Sequence, residues 1–281
     1  DMIGGLESDA GLELSHCDSY FLDFLALNTR KPPFDDPDAR RAVARALDIP
    51  ALFTAVIKNA GVPGSALPFG PALYGGDAGN WQGYIDAAGP LYSPDKARQY
   101  LSRSAYPNGF TFTLMAWDNP LYQEIGLYIR ESLGQFNINA EIHFLPLGEI
   151  AMHQMGEYRD NNGGRVYDGL IGIWGADYPD PNGSLEFMYA SSQDGESGAN
   201  AAAFENLRAD ELIAEQRAAL DREKRFAVQK QLADLIAEEA PYIILNYELG
   251  HAALNKKYAN VQATSAGLLW ALPLQNVRKA D

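Results

Sequence analysis

The chain has 281 residues, of which 47% are apolar and 21% charged, a composition that excludes a disordered or fibrous protein. Its formal net charge of −15 repels nucleic-acid phosphates and anionic lipid, so we expect neither as a partner. The single cysteine, Cys17, allows no internal disulfide, and the four histidines are scattered without metal-ligand spacing. The composition therefore predicts no metal site and no cofactor.

The first half of the chain predicts a strand followed by helices. Residues 20–27 form an apolar run typical of a buried strand. Asp36 and Pro37 are the N-cap and the first residue of a predicted helix, and a second helix is predicted over residues 50–60. Residues 61–90 are rich in Gly, Pro and Asn, so we expect a long ordered loop there.

The second half alternates helices and strands. Helices are predicted over residues 94–104, from residue 120, and over residues 148–158, 209–220 and 222–239, the last with Asp221 as its cap. Strands are predicted over residues 110–116, 138–145, 167–174 and 241–247. This order predicts an α/β domain with a sheet flanked by helices. Strand and loop pieces at both ends suit a domain inserted between parts of another domain.

The loop over residues 175–183 is the most informative candidate site. It follows the strand at 167–174, and open α/β sheets bind ligands beyond the carboxyl ends of their strands. Asp177 is flanked by Trp174 and Tyr178, and a carboxylate beside aromatic rings can bind an ammonium group. An ordinary turn explains Asp177 and Asp180 equally well, because the loop is rich in Pro, Gly and Asn.

The sequence contains few residues or motifs that are typical of an enzyme active site. Asp177 and Asp180 are a conceivable carboxylate pair for glycoside hydrolysis, but no other candidate acid stands in a comparable context. The chain contains no Gly-x-Ser-x-Gly nucleophile elbow and no glycine-rich phosphate loop after a strand. We therefore predict a binding module without catalytic residues.

Four stretches, in order along the chain, resemble the solute-binding proteins of peptide ABC transporters, the oligopeptide/dipeptide class of extracellular solute-binding protein family 5. They are PFDDPDARRAVARALD at 33–48; YSPDKARQYL at 92–101 followed by YPNGF at 106–110; WGADYPDP at 174–181; and DREKR at 221–225 with EEAPYI at 238–243. Because they extend over nearly the whole chain, the resemblance is specific.

The resemblance implies one lobe of a two-lobed, hinge-closing receptor. Residues 1–27 would be the end of lobe I, the N-terminal lobe, leading into the hinge. Residues 28–245 would be the C-terminal ligand-binding lobe, and residues 246–281 the return strands and loops of lobe I. Family members are about twice as long, so we expect the N-terminal lobe to be missing. No apolar run reaches a membrane span, and the acidic first ten residues are unlike a signal peptide.

The resemblance also implies a function. We expect a monomeric periplasmic or cell-surface protein that binds a peptide or other amine-bearing solute and delivers it to an ABC permease in the membrane. A nickel complex, a sugar or an opine is the alternative ligand. In the family the aspartate matching Asp177 anchors the ligand's α-amino group, and the expected ligand-binding residues are Trp174, Gly175, Ala176, Asp177 and Tyr178. Arg159 and Arg165 could meet the ligand's carboxylate, but solvated loop charges explain them better.

Overall fold

The computed structural model describes residues 2–195, 197–260, 262–265 and 277–279. Its strands are β1 Leu12–Leu27, β2 Gly61–Pro63, β3 Phe110–Trp117, β4 Ile138–Leu145, β5 Gly169–Gly175, β6 Tyr242–Asn255, β7 Tyr258–Ala259 and β8 Arg278–Lys279. The first six form one sheet in the order β2–β6–β1–β5–β3–β4, and β7 pairs with β8. β1 lies antiparallel between β5 and β6, whereas β3 lies parallel to β4 and β5.

Helices cover both faces of this sheet, which confirms the predicted α/β lobe. They are α1 Met2–Glu7, α2 Pro37–Ala46, α3 Ile49–Leu52, α4 Ala78–Ala88, α5 Pro94–Arg103, α6 Pro120–Gly134, α7 Leu147–Gln154, α8 Asn182–Tyr189, α9 Leu207–Ala218 and α10 Arg222–Glu239. None of these helices combines the length and the apolar composition that a membrane span requires.

Side-chain caps begin several helices where the sequence predicts them. The carboxylate of Asp36 accepts a hydrogen bond from the backbone N–H of Asp38, 2.8 Å away, at the start of α2. Asp221 caps α10 in the same way through the N–H of Lys224. Ser93 precedes Pro94 at the start of α5, but its side chain makes no capping hydrogen bond. These local signals therefore place the helix starts correctly even where one cap is not used.

The predicted loop over residues 61–90 is wrong in part, because it contains β2 and α4. The sequence of α4 holds two glycines and an asparagine, which are weak helix formers. Its Trp81 is nevertheless fully buried, with its ring centroid 4.7 Å from that of Phe226 and 5.0 Å from that of Phe69. Packing of this large ring on α10 overrides the local propensity.

Two apolar layers lie on opposite faces of the sheet. Along β1, Phe24 and Ala26 face one layer, while Leu25 and Leu27 face the other. The first layer packs against α4, α8, α9 and α10, and the second against α2, α5 and α6. A strand that is buried on both faces needs a nearly continuous apolar sequence, which is the pattern that predicts this strand.

The β1–β6 pair extends beyond the rest of the sheet. β1 pairs with β5 only from Phe21 onwards, whereas its pairing with β6 continues back to Leu12. Residues 12–18 and 249–255 thus form a two-stranded extension, which we call the β1–β6 ribbon; its register shifts between Asp18 and Leu22. The sequence places domain boundaries at 27/28 and 245/246; β1 ends at Leu27, whereas β6 runs unbroken through the second position. That division stays a prediction, and part of 246–281 lies outside the described residues.

Candidate ligand-binding site

The carboxyl ends of three parallel strands meet at one edge of the sheet. Trp117 at the end of β3 is paired with Leu145 at the end of β4, and β5 runs parallel beside β3 to Gly175. The loop that carries Asp177 leaves from this edge, as the sequence predicts. Residues at the carboxyl ends of parallel strands are well placed to meet a ligand, because the loops there converge.

Asp177 presents an unpaired carboxylate at this edge. It is exposed, and it forms no hydrogen bond or ion pair with any residue that the structure describes. Its neighbours Trp174, Ala176 and Tyr178 each form a hydrogen bond of their own. A carboxylate held on a rigid loop without an internal partner is available to bind a cation from outside.

Trp174 and Gly175 fix the start of the loop. The indole Nε1–H of Trp174 donates a hydrogen bond to the carbonyl oxygen of Gly183, 2.9 Å away, and its ring stacks on Phe187 at 5.6 Å between centroids. A Cβ at Gly175 would lie 2.5 Å from the Phe21 ring, so any larger residue there would require that ring to move. The carboxyl end of β5 is thus held by contacts with β1 and α8.

Ala176 and Tyr178 hold the loop on either side of Asp177. Ala176 is fully buried, and its N–H donates to the carbonyl oxygen of Tyr20 at 3.3 Å. The hydroxyl of Tyr178 accepts a hydrogen bond from the Asn182 side-chain amide at 2.9 Å, while its ring is 38% exposed. The five predicted residues are consecutive along the chain: Trp174 and Gly175 end β5, and the other three begin the loop after it. Their contact with a ligand stays a prediction.

Asp180 has a structural partner and differs from Asp177 in this respect. Its two carboxylate oxygens accept hydrogen bonds from Arg225 at 2.6 and 2.7 Å, and one also accepts the N–H of Asn182. Partial burial raises the pKa of Asp180, but the hydrogen bonds from Arg225 and Asn182 outweigh it and hold this pKa below its usual value. Asp180 stays ionised at neutral pH, so it is a poor general acid.

A buried amide network supports this ion pair, and the sequence gives no signal for it. The side chain of Gln216, on α9, is fully buried and donates to Asn182 Oδ1. Its Oε1 accepts from Gln229 and Arg225, both at 3.1 Å. The loop is thereby tied to α9 and α10 through residues more than 30 positions away along the chain.

We expect Asp180→Asn to lower the free energy of unfolding by about 1–2 kcal/mol, because one charge-assisted pair is lost at a site about a third exposed. The lowered pKa of Asp180 means that this stabilisation is present above the unfolded value of about 3.9 and is lost as the pH falls through the folded value. Urea unfolding of both proteins at pH 7 and in acid measures this. A difference that does not shrink in acid would contradict the assignment.

Arg159 and Arg165 both have partners within the fold, and the prediction that they are solvated loop charges is wrong for Arg165. The side chain of Arg165 is fully buried. It donates to Asp194 Oδ1 and to the backbone carbonyls of His153 and Gln154, all at 3.0 Å. Arg159 also binds Asp194 at 3.0 Å. Both arginines lie near the amino end of β5, so they hold the fold together at the edge opposite Asp177.

Two cavities in the described part of the chain have no lining residue among the five predicted ligand-binding residues, although one of them reaches Asp180 in the same loop. A cavity of about 590 Å³ lies between the start of α3 and the end of α4, lined in part by Asp48, Ser65 and Tyr92, and none of the five predicted residues borders it. A second of about 410 Å³ lies beside Asp180 and Arg225. If a second lobe completes the cleft, the half-site on this lobe is an open surface and encloses no volume.

The chain matches a defined protein family along most of its length. The family described as "Bacterial extracellular solute-binding proteins, family 5 Middle" matches residues 2–196. Among curated relatives, the "Glutathione-binding protein GsiB" of Escherichia coli (strain K12) is 26% identical over 245 residues, which cover 86% of this chain and 45% of that protein. The chain thus spans about half the length of the curated relatives it matches.

Solved structures show the same fold. A dipeptide binding protein from Pseudoalteromonas sp. SM9913 in complex with Met-Leu has a TM-score of 0.81 and 21% identity, covering 99% of this chain and 52% of that one. NikZ from Campylobacter jejuni in complex with Ni(L-His) has a TM-score of 0.73 and 16% identity, covering 94% and 52%. At these identities the likeness shows the fold and leaves the ligand open.

Proposed function

The chain belongs to the bacterial extracellular solute-binding proteins of family 5, and from this membership we propose that the whole protein is the solute-binding component of an ABC importer. It captures a peptide or another amine-bearing small solute outside the cytoplasmic membrane and delivers it to the permease. The curated relatives are binding proteins, and we propose that this protein likewise binds its solute without transforming it.

The exposed carboxylate of Asp177 is the observation that carries this proposal. It lies at the carboxyl edge of the sheet between Trp174 and Tyr178, without a partner among the described residues. An ammonium group of the ligand would supply the missing charge, and the exposed ring of Tyr178 would add cation–π attraction. Backbone groups of Trp174, Gly175 and Ala176 would hold the rest of the ligand.

Closure of a second lobe over this surface would bury the ion pair and trap the solute. The β1–β6 ribbon leaves the ligand-binding lobe from the sheet and is the natural connection to that other lobe. We assign residues 28–245 to the ligand-binding lobe and residues 1–27 and 246–281 to the connection and the return strands of lobe I, with the end of β1 packed into the sheet of the ligand-binding lobe. The protein works as a monomer in the periplasm or at the cell surface.

A non-peptide solute is the second candidate, because a solved protein of the same fold carries a nickel–histidine complex. A hydrolase using Asp177 and Asp180 is less well supported, since Asp180 is occupied by Arg225. An acid that is already bound by an arginine cannot readily give up or take up a proton during a reaction.

Identification of the bound solute tests the proposal directly. The full-length protein would be purified from its host, denatured, and the released small molecules identified by mass spectrometry; titration calorimetry with the refolded protein would then measure their affinity. We expect an amine-bearing solute, and Asp177→Asn protein should release much less of it. Turnover of a peptide or glycoside panel that Asp177→Asn abolishes would overturn the binding function.

A further inference from the structure

One buried and one partly buried carboxyl side chain lie where the β1–β6 ribbon joins the sheet. Asp23, on β1, is 1% exposed. The hydroxyl of Tyr122 donates a hydrogen bond to its Oδ1 at 2.5 Å, and the Asn246 amide donates to its Oδ2 at 3.1 Å. Glu248, on β6, is partly buried. Neither acid takes part in the proposed ligand site.

The strand register brings these two acids onto one face of the sheet. Asp23 is paired directly with Asn246, and Glu248 follows Asn246 by two residues on the same face. Diagonal neighbours of this kind are within reach of a long side chain. Glu248 also stands opposite the register shift between Asp18 and Leu22, where the ribbon leaves the sheet.

The surroundings of the pair supply no positive charge. The charged or titratable groups that act on Asp23 and Glu248 are each other and Tyr122, from α6. From β2, the facing residue is Gly61, which is paired with Glu248 and has no side chain. No lysine, arginine or histidine of the described chain forms an ion pair with either acid. Two negative charges here would repel each other without compensation.

The side-chain oxygen of Asn246, beside these two acids, lacks a hydrogen-bond donor in the described part of the chain. The residue is 2% exposed, and its Oδ1 has no hydrogen-bond partner among the described residues. Gly61 leaves room for this amide, because a Cβ there would lie 2.0 Å from Oδ1. An acceptor buried without a donor costs about 1–3 kcal/mol. A protonated Glu248 would offer that donor from two residues along the strand.

We propose that Asp23 and Glu248 hold one proton between them, that Glu248 carries it and donates to Asn246, and that this proton fastens the β1–β6 ribbon to the sheet. Burial raises the pKa of Asp23, and the hydrogen bonds that it accepts from Tyr122 and Asn246 oppose this rise. Glu248 accepts no such hydrogen bond within the described structure, so we place the shared proton on Glu248. When the proton leaves Glu248 for solvent, two unscreened carboxylates remain at the register shift and the ribbon loosens there. The proposal concerns the ribbon and does not depend on which solute the protein binds.

The pKa of Glu248 agrees with this arrangement. Burial, and then the charge of Asp23, raise it to about 8. The pKa of Tyr122 is raised well above its usual value by burial and by Asp23, so its hydroxyl keeps its proton. Because the folded pKa of Glu248 exceeds the unfolded value of about 4.3, its contribution to stability is present in acid and is lost as the pH rises towards about 8.

Two measurements on this chain test the proposal. NMR of side-chain-labelled glutamate follows the titration of Glu248, and hydrogen exchange gives the protection of amides in residues 12–18 and 249–255. We expect Glu248 to titrate near pH 8 and Asp23→Asn to lower that value by at least about one unit. The hydrogen-exchange protection factors of the ribbon amides should fall about tenfold between pH 7 and pH 9. The opened ribbon binds one proton fewer than the closed ribbon up to about pH 8, and each pH unit over that range changes the opening equilibrium about tenfold.

The variants decide between outcomes. Glu248→Gln should make ribbon protection independent of pH over this range, whereas Glu141→Gln, an exposed carboxylate on β4, should change neither measurement. Titration of Glu248 below pH 6, or ribbon protection that stays constant while Glu248 titrates, overturns the proposal. The wild-type titration and Asp23→Asn each give an independent result, so a folding defect in Glu248→Gln leaves the question decidable.

Discussion

In the two-lobed protein that we propose, Asp177→Asn should weaken binding of an amine-bearing solute by roughly two to four powers of ten, corresponding to the roughly 3–5 kcal/mol typical of a broken buried ion pair. We expect a large loss because the proposed lobe closure would remove both charges from water. An asparagine retains the size and one acceptor oxygen of the aspartate, but the ligand's ammonium group is then buried without a counter-charge.

The same change should do almost nothing in the isolated chain. Here Asp177 faces water, and an exposed ion pair contributes only about 0–1 kcal/mol. The free energy of unfolding should also be unchanged, because Asp177 forms no hydrogen bond or ion pair within the described structure. This separation of binding from stability distinguishes Asp177 from Asp180, whose loss should lower stability and affect affinity only mildly.

Titration calorimetry on the two-lobed protein measures this effect, with the solute identified by mass spectrometry. Glu149→Gln is a matched control, since Glu149 is an exposed carboxylate in the first turn of α7, which follows β4. It should leave affinity within about threefold of the wild type, as expected for a charge at the rim of the site that does not pair with the ligand. Equal losses for Asp177→Asn and Asp180→Asn, or no loss for Asp177→Asn, would remove Asp177 from the site.

Local signals in the sequence predict most of the framework. Asp36 and Asp221 mark helix starts because capping depends on residues two or three positions apart. The apolar run ending at Leu27 predicts a strand buried on both faces, and the four matching stretches predict the family, which the comparison confirms. Helix α4 is not predicted from the sequence. It is stabilised by the packing of Trp81 against Phe226, 145 positions away, and the local sequence pattern contains no information about such a contact.

The same distinction applies to the candidate site. Asp177 can be singled out because a loop after a buried strand is visible in the sequence. The contribution of Gln216 cannot be predicted from the sequence, because a glutamine in a helix can have a solvated or a buried amide. Arg165 is the clearest case: its position in a polar loop suggests a solvated charge, and only the fold shows its guanidinium enclosed beside Asp194.

Three arginines converge on Asp194 near the amino end of β5. Its carboxylate lies 3.0 Å from Arg165 Nε, 3.0 Å from Arg159 Nη2 and 3.5 Å from Arg30 Nη1. The Asp194 side chain is 3% exposed and that of Arg165 is fully buried. Among the described residues, Asp194 is the only carboxylate that pairs with the buried guanidinium of Arg165. Arg165 Nη2 has no acceptor among these residues either, so no other contact compensates for a lost carboxylate.

Asp194→Asn should therefore lower the free energy of unfolding by about 3–5 kcal/mol, because it leaves the Arg165 charge buried and uncompensated. The asparagine can still accept one hydrogen bond, but its NH₂ group then points a donor at a second arginine. Urea unfolding measures the loss. Asp234→Asn is the control, since it breaks the exposed pair with Lys230 on α10, and such a pair contributes about 0.3–0.5 kcal/mol. Losses for the two variants within about 1 kcal/mol of each other would mean that Asp194 does not stabilise the fold through its buried charge.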